Sequence, residues 1–184
     1  MTTWRTMAMS VLLVATGSAA LADERDKKGV TISDRSFRQI ATTFLNDPRH
    51  SSAPAWARLI LLYMKQTSSA AVVLGSEELQ WAGFGDDDRH LQVLLAAYAA
   101  GNIQSQLNSG VKRNDRYSGL LTLFHVYRTL REQDKKFQIA ALDRLLEMHR
   151  EDKLGAHLQK LEEKKPAKLT PAEVQALRKL MKPR

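Results

Sequence analysis

The sequence predicts an all-α protein, an irregular bundle or short solenoid of about six to seven helices arranged as hairpins. Three observations support this fold class. The run 88–107 is apolar on nearly every side, and a helix of that kind has to be enclosed by its neighbours. Apolar residues recur at helical spacing in several other segments, and no segment alternates as a half-buried strand does. We therefore expect the other helices to pack around residues 88–107.

The first 22 residues have the organisation of a secretory signal peptide. Arg5 precedes an apolar stretch from Met7 to Gly17, and small residues stand at Ala20 and Ala22, the positions that signal peptidase recognises. An uncleaved anchor is the alternative, but the stretch is short for a hydrocarbon core of about 30 Å.

Cleavage is expected between Ala22 and Asp23, which predicts an exported chain, periplasmic or extracellular, without a transmembrane segment. Residues 23–33 then predict a flexible polar arm, residues 34–164 a helical domain, and residues 165–184 a basic tail with a short C-terminal helix.

Residues 34–66 predict a helical hairpin. Asp34 stands at an N-cap position, and the first helix is expected to end near Asn46. Residues 48–53 predict a loop, and Pro54 suits the first turn of a second helix that ends at about Gln66. The two apolar stripes are Phe37, Ile40, Ala41, Phe44 and Leu45, and then Trp56, Leu59, Ile60, Tyr63 and Met64.

The segment between this hairpin and the central run is the least regular part of the chain. Ala70 to Leu74 is too short for periodicity to separate a short helix from an extended buried segment. The acidic run Asp86-Asp87-Asp88 suits the positive end of a helix dipole, and Asp88 is expected to cap the central helix. Gly101 lies inside that helix, where either a close helix–helix contact or an early helix end would explain it.

Two more helical segments follow the central helix. Asn114 or Asp115 is expected to cap the first of them. Residues 135–150 predict an amphipathic helix, which Gly155 is expected to interrupt before a further turn or two at 156–164.

A weak repeat runs through three of the helices, because a leucine stands one helical turn before Tyr63, Tyr98 and Tyr127. The first copy, Trp56-x-x-Leu59-x-x-x-Tyr63, resembles the first helix of tetratricopeptide repeats. Ile60 stands where that family has Gly, and the small residues and the closing Pro of the second helix are not in place. The resemblance covers about a third of the chain and implies stacked helical hairpins. A common core pair of Leu and Tyr is the competing interpretation.

The residues offer little support for catalysis. The chain has no cysteine, which excludes disulfides, iron–sulfur clusters and thiolate zinc sites. No two histidines have the i, i+4 spacing of a helical metal site, and nucleophile motifs are missing. A metal-assisted enzyme centred on Asp86, Asp88 and His90 is the least favoured hypothesis, since a solvated, acid-rich helix start is the much better explanation of these residues. We predict no cofactor and no metal site.

The favoured hypothesis is an exported protein-interaction module that binds a protein or peptide of the cell envelope in a groove between helical hairpins. The candidate groove residues, provided that they are exposed, are Tyr63, Trp81, Tyr98, Tyr117 and Tyr127.

The alternative hypothesis is binding of an anionic lipid or glycan surface by the basic C-terminal tail. Of the net charge of +8, residues 150–184 contribute ten Lys/Arg against five Asp/Glu. A solubilising terminus explains the same charges, and no module that reads nucleic acid is present. The candidate polyanion-binding residues are Lys164, Lys165, Lys168, Arg178, Lys179, Lys182 and Arg184.

Overall fold

A computed structural model describes residues 31–74, 81, 88–163 and 174–175. The fold is all-α, as predicted, and the described residues contain no strand. Six helices have both ends within the described residues: α1 (Asp34–Asn46), α2 (Ala53–Gln66), α3 (Asp88–Ser109), α4 (Arg116–Gln133), α5 (Ala140–Arg150) and α6 (Leu154–Glu163). Within the described ranges, no helix is both long enough and apolar enough to cross a bilayer.

Helix α3 is the centre of the protein, which confirms the expectation from its all-round apolar sequence. It packs mainly against α4 on one side and α2 on the other. Every residue from Val93 to Ile103 is buried, so the whole circumference of the helix lies inside the protein along these three turns.

Helices α3 and α4 approach each other at two glycines. A Cβ atom at Gly101 would lie 2.1 Å from Thr122 Oγ1 and 2.5 Å from the Ser118 carbonyl oxygen. A Cβ atom at Gly119 would lie 2.9 Å from the Tyr98 ring. Because α3 continues to Ser109, the close contact, and not an early helix end, explains Gly101.

Helices α1 and α2 form the predicted hairpin, but its N-cap differs from the expectation. Ser33 is the cap, since its hydroxyl accepts the Ser36 N–H at 3.1 Å. Asp34, the predicted cap, is instead the first residue of α1, and its carboxylate accepts the Tyr63 hydroxyl at 2.7 Å. The Tyr63 ring stacks on Phe37 with 4.3 Å between the ring centroids. Ile32, at the end of the predicted arm, is buried in the core.

The helix predicted over 135–150 begins later, at Ala140. The Tyr127 hydroxyl accepts the Ile139 N–H at 2.8 Å and donates to Asp143 Oδ1 at 3.1 Å, which holds residues 134–139 outside the helix.

The break after α5 falls before Gly155 rather than at it. Asp152 adopts a left-handed conformation with φ of 55°, its N–H donates to the His149 carbonyl at 3.2 Å, and the Lys153 N–H donates to the Met148 carbonyl at 2.8 Å. This Schellman motif ends α5, so Gly155 lies in the first turn of α6.

Candidate functional site

Four of the five predicted groove aromatics lie in the core. Tyr63, Trp81, Tyr98 and Tyr127 are each no more than 1% exposed. They are therefore not available to a partner in this conformation, which corrects the expectation for these four. The physical reason for the three tyrosines is that their helices are enclosed on more than one side, so the rings fill space between helices. Trp81 lies in a turn, and its side chain is also buried in the core.

Two of the buried tyrosines serve in structural contacts. Burial raises the pKa of Tyr63 and of Tyr127, so both hydroxyls stay protonated as donors. Tyr63 donates to Asp34 and joins α1 to α2, while Tyr127 donates to Asp143 and joins α4 to α5.

The fifth aromatic, Tyr117, is 41% exposed in the first turn of α4. It lines an open cavity of about 560 Å³, here called the groove, between the C-terminal end of α3, the loop 110–115, the start of α4, and α6. Val111, which is 58% exposed, lies on the same groove. Other lining residues are Gln106, Arg113, Leu158 and Glu162.

Beside the groove, α3 carries two buried polar side chains, Asn102 and Gln106. Gln106 Nε2 donates to Asn102 Oδ1 at 2.6 Å, and Asn102 Nδ2 donates to Asn114 Oδ1 at 2.8 Å. The Asp115 N–H donates to Asn102 Oδ1 at 3.1 Å. These bonds satisfy the buried amides and hold the loop 110–115 against α3.

The segment Ala70 to Leu74 is not helical, and the side chains of Gln106 and Asn114 hold its backbone. Gln106 accepts the Ala71 N–H at 2.9 Å and donates to the Ala71 carbonyl at 2.8 Å. Asn114 Oδ1 accepts the Val73 N–H at 3.0 Å. The buried pair therefore fixes two separate segments of backbone, since Gln106 bonds Ala71 and Asn102 bonds Asp115.

Asp115 is the N-cap of α4, one of the two predicted alternatives. Its carboxylate accepts the Ser118 N–H at 3.0 Å and the hydroxyls of Ser105 and Ser118. Burial raises the pKa of Asp115, but the hydrogen bonds from Ser105 and Ser118 outweigh that effect and leave it below its ordinary value. Both serine hydroxyls donate to a carboxylate that serves as a helix cap, which is a structural arrangement and not that of an activated nucleophile.

An ion pair spans the groove. Arg113 Nη2 lies 3.3 Å from Glu162 Oε2, and the two side chains are 75% and 44% exposed. A pair as exposed as this contributes about 0–1 kcal/mol, so it holds α6 to the loop only weakly.

Sequence reasoning missed the amide pair. The available signal was the i, i+4 spacing of Asn102 and Gln106 within an otherwise apolar helix, because a polar residue in an enclosed helix must find a partner. Their partners, Ala71 and Asn114, are distant in sequence or lie across a turn, and no local pattern identifies them.

The other candidate sites lie largely outside the described residues. This is so for Lys164, Lys165, Lys168, Arg178, Lys179, Lys182 and Arg184 of the tail, and for the signal peptide at 1–22. Asp86 is also outside, and the side chain of Asp88 is not described. His90 lies against Phe137, with 4.7 Å between the ring centroids. Among the described side chains, no group of three or more His, Asp or Glu is arranged to hold a metal ion.

No family model, curated protein or solved structure matches this chain. The resemblance to tetratricopeptide repeats therefore stays a prediction. Its three tyrosines, Tyr63, Tyr98 and Tyr127, are all buried, as a core pair of Leu and Tyr also requires.

Proposed function

We propose that this protein is an interaction module whose groove binds a segment of a partner protein or peptide. The observation that supports the proposal is the groove itself, where the exposed apolar residues Tyr117 and Val111 lie beside polar groups that are already fixed in place. A tyrosine offers a large contact area at a low cost in side-chain entropy, and tyrosines are enriched among the residues that dominate binding energy.

The groove is preorganised on the side of the loop. Asn114 and Asp115 are held by Asn102, and Asp115 caps α4 directly before Tyr117. The Tyr117 ring also meets His149 edge-on, with 6.2 Å between the ring centroids. A partner therefore has little ordering entropy to overcome on this side, which favours binding.

Peptides selected on the purified protein from a displayed random library provide the test. We expect Tyr117→Ala and Val111→Asp each to weaken the selected peptides about tenfold or more, because both remove apolar contact area from the groove. Val73→Asp is the matched control, since Val73 is an exposed valine that does not line the groove. Fluorescence anisotropy measures the affinities. Equal losses in the control and the groove variants, or none in either, would contradict the proposal.

We also propose that the protein acts outside the cytoplasm. The support is the arrangement of Arg5, the apolar stretch 7–17, and the small residues Ala20 and Ala22. N-terminal sequencing of the protein from fractionated cells tests it, with Asp23 expected as the first residue. Recovery of the unprocessed chain from the cytosol would refute the export proposal and leave the groove proposal standing.

A further inference from the structure

The side chains of Asn102, Gln106 and Asn114, here called the amide network, join the groove to the segment 70–74. At the centre of the network is Asn102, which is fully buried and is not among the residues that line the groove. Its amide oxygen accepts bonds from Gln106 and from the Asp115 N–H, and its amide nitrogen donates to Asn114. All three partners line the groove, so one buried side chain positions three residues of the groove wall.

Asn114 is the link between the groove and the segment 70–74. Its Oδ1 atom accepts the Asn102 side chain at 2.8 Å and the Val73 N–H at 3.0 Å. A movement of the loop 110–115 that carries Asn114 away from α3 therefore also breaks the bond to Val73. Release of the segment breaks the same bond from the other side, and openings that share a bond are cooperative.

A partner in the groove restrains the loop that carries Asn114. Val111 and Tyr117, which offer the exposed apolar contacts of the groove, stand on either side of Asn114 in the chain. A partner packed on both side chains therefore resists opening of the loop 110–115. Because the segment 70–74 shares a hydrogen bond with that loop, it is also released less often.

We infer that Asn102 is a positioning residue of the groove and that the amide network couples partner binding to the segment 70–74. This inference rests on the proposed function of the groove. A bound partner slows the opening of the segment, and by thermodynamic linkage a loosened segment weakens the partner by the same factor. The segment is thus a second place, outside the groove, at which the affinity of the groove is set.

Amide hydrogen exchange, followed by NMR on the isotope-labelled full chain, measures the first half of this linkage. The probe is the tightest of the peptides selected on the purified protein. At saturation it should slow exchange at the Ala71 and Val73 amides about fivefold or more, the lower end of typical allosteric couplings. The control is the Lys136 amide, which also donates to a side chain, that of Asp134 at 2.9 Å, but lies outside the amide network. Exchange at Lys136 should not change.

Proline variants of the segment measure the second half. Val73→Pro removes the N–H that Asn114 accepts, so it should weaken the selected peptide about fivefold or more. Val72→Pro is the matched control, because the Val72 N–H bonds no group within the part of the chain that the structure describes. Val73→Asp keeps the N–H and should leave the affinity unchanged, which separates the backbone bond from the side chain.

Asn102→Ala tests the positioning role itself. At saturation the peptide should still bind this variant but should no longer slow exchange at Ala71, because the connection between Gln106 and Asn114 is lost. Tyr127→Phe is the matched control, since it also removes a buried acceptor of a backbone N–H, away from the groove. It should lose stability but keep the slowing at Ala71. Far-UV circular dichroism and a thermal melt confirm that each variant is folded; if Asn102→Ala is not, the proline variants decide.

Each outcome decides between the two proposals. Slower exchange at Ala71 and Val73 with bound peptide, together with weaker binding in Val73→Pro than in Val72→Pro, supports the inference. Unchanged exchange, equal affinities of the two proline variants, or undiminished slowing in Asn102→Ala overturns it, and the groove proposal stands as long as Tyr117→Ala weakens the peptide. If no peptide binds, or binding is unaffected by Tyr117→Ala, the groove proposal and the inference are both overturned.

Discussion

Replacing Gly101 by alanine is the sharpest test of how α3 and α4 pack. The new methyl group would lie 2.1 Å from Thr122 Oγ1, 2.7 Å from Thr122 Cβ and 2.5 Å from the Ser118 carbonyl oxygen. Ordinary contacts between such atoms are at about 3.5–4.0 Å. The Thr122 side chain is able to rotate, at the loss of its hydrogen bond to Ser118, but the backbone oxygen moves only if the helices separate.

The expected loss follows from two opposing effects. Overpacking of a core contact costs about 1–3 kcal/mol, and a clash with backbone places Gly101→Ala at the upper end of that range. Alanine is a better helix former than glycine by about 1 kcal/mol, which offsets part of the loss. We therefore expect a net loss of about 2 kcal/mol in the free energy of unfolding, or about 4–8 °C in Tm for a domain of this size.

Urea unfolding followed by far-UV circular dichroism measures this loss, with an unchanged m-value as the check for two-state behaviour. The matched control is Gly155→Ala, because no atom lies within 4 Å of a Cβ at Gly155. That variant should gain about 0.4–1 kcal/mol through reduced entropy of the unfolded chain. Adding Thr122→Ala to Gly101→Ala should restore only part of the loss, since the Ser118 oxygen remains in place. Stability of Gly101→Ala equal to that of the parent, or full rescue by Thr122→Ala, would refute the packing argument.

Three further predictions concern the contacts that hold the helices and the backbone segments together. The hydrogen bond from Tyr63 lowers the pKa of Asp34, so this bond stabilises the fold above about pH 4 and its contribution is lost as the pH falls. Tyr63→Phe should therefore make the free energy of unfolding depend less on pH in acid. An unchanged pH dependence would argue against this role of the bond. Gln106→Leu should cost about 1–3 kcal/mol by leaving the partly buried N–H and carbonyl of Ala71 without their partner. It should also speed hydrogen exchange at the Ala71 amide, and protection equal to that of the parent would show that the bond is unimportant. Asp152→Gly should raise stability by up to about 1 kcal/mol in thermal unfolding, because glycine adopts the left-handed conformation without strain, and a loss would contradict this account.

Residues close together in the sequence were sufficient to predict the helices and several of their ends. The all-round apolar sequence of 88–107 predicted the enclosed helix α3, because such a helix has no surface that favours water. The end of α1 and a cap of α4 at Asn114 or Asp115 were predicted from residues within a few positions of each other, and Asp115 is the cap. The predicted N-cap was wrong at Asp34, because its carboxylate accepts the hydroxyl of Tyr63 from α2 instead.

The candidate site depended on tertiary structure. Periodicity does not reveal which side of an apolar helix is enclosed, so Tyr63, Tyr98 and Tyr127 could not be separated from the exposed Tyr117 by spacing alone. The groove arises from α3, α4 and α6 meeting at a loop, and the Gln106–Ala71 bonds join residues 35 positions apart. The sequence by itself determined that the chain forms helices and which helix is central, because these properties depend on residues one turn apart. Only the tertiary structure decided which side chains remain in contact with water, because that depends on how distant segments cover one another.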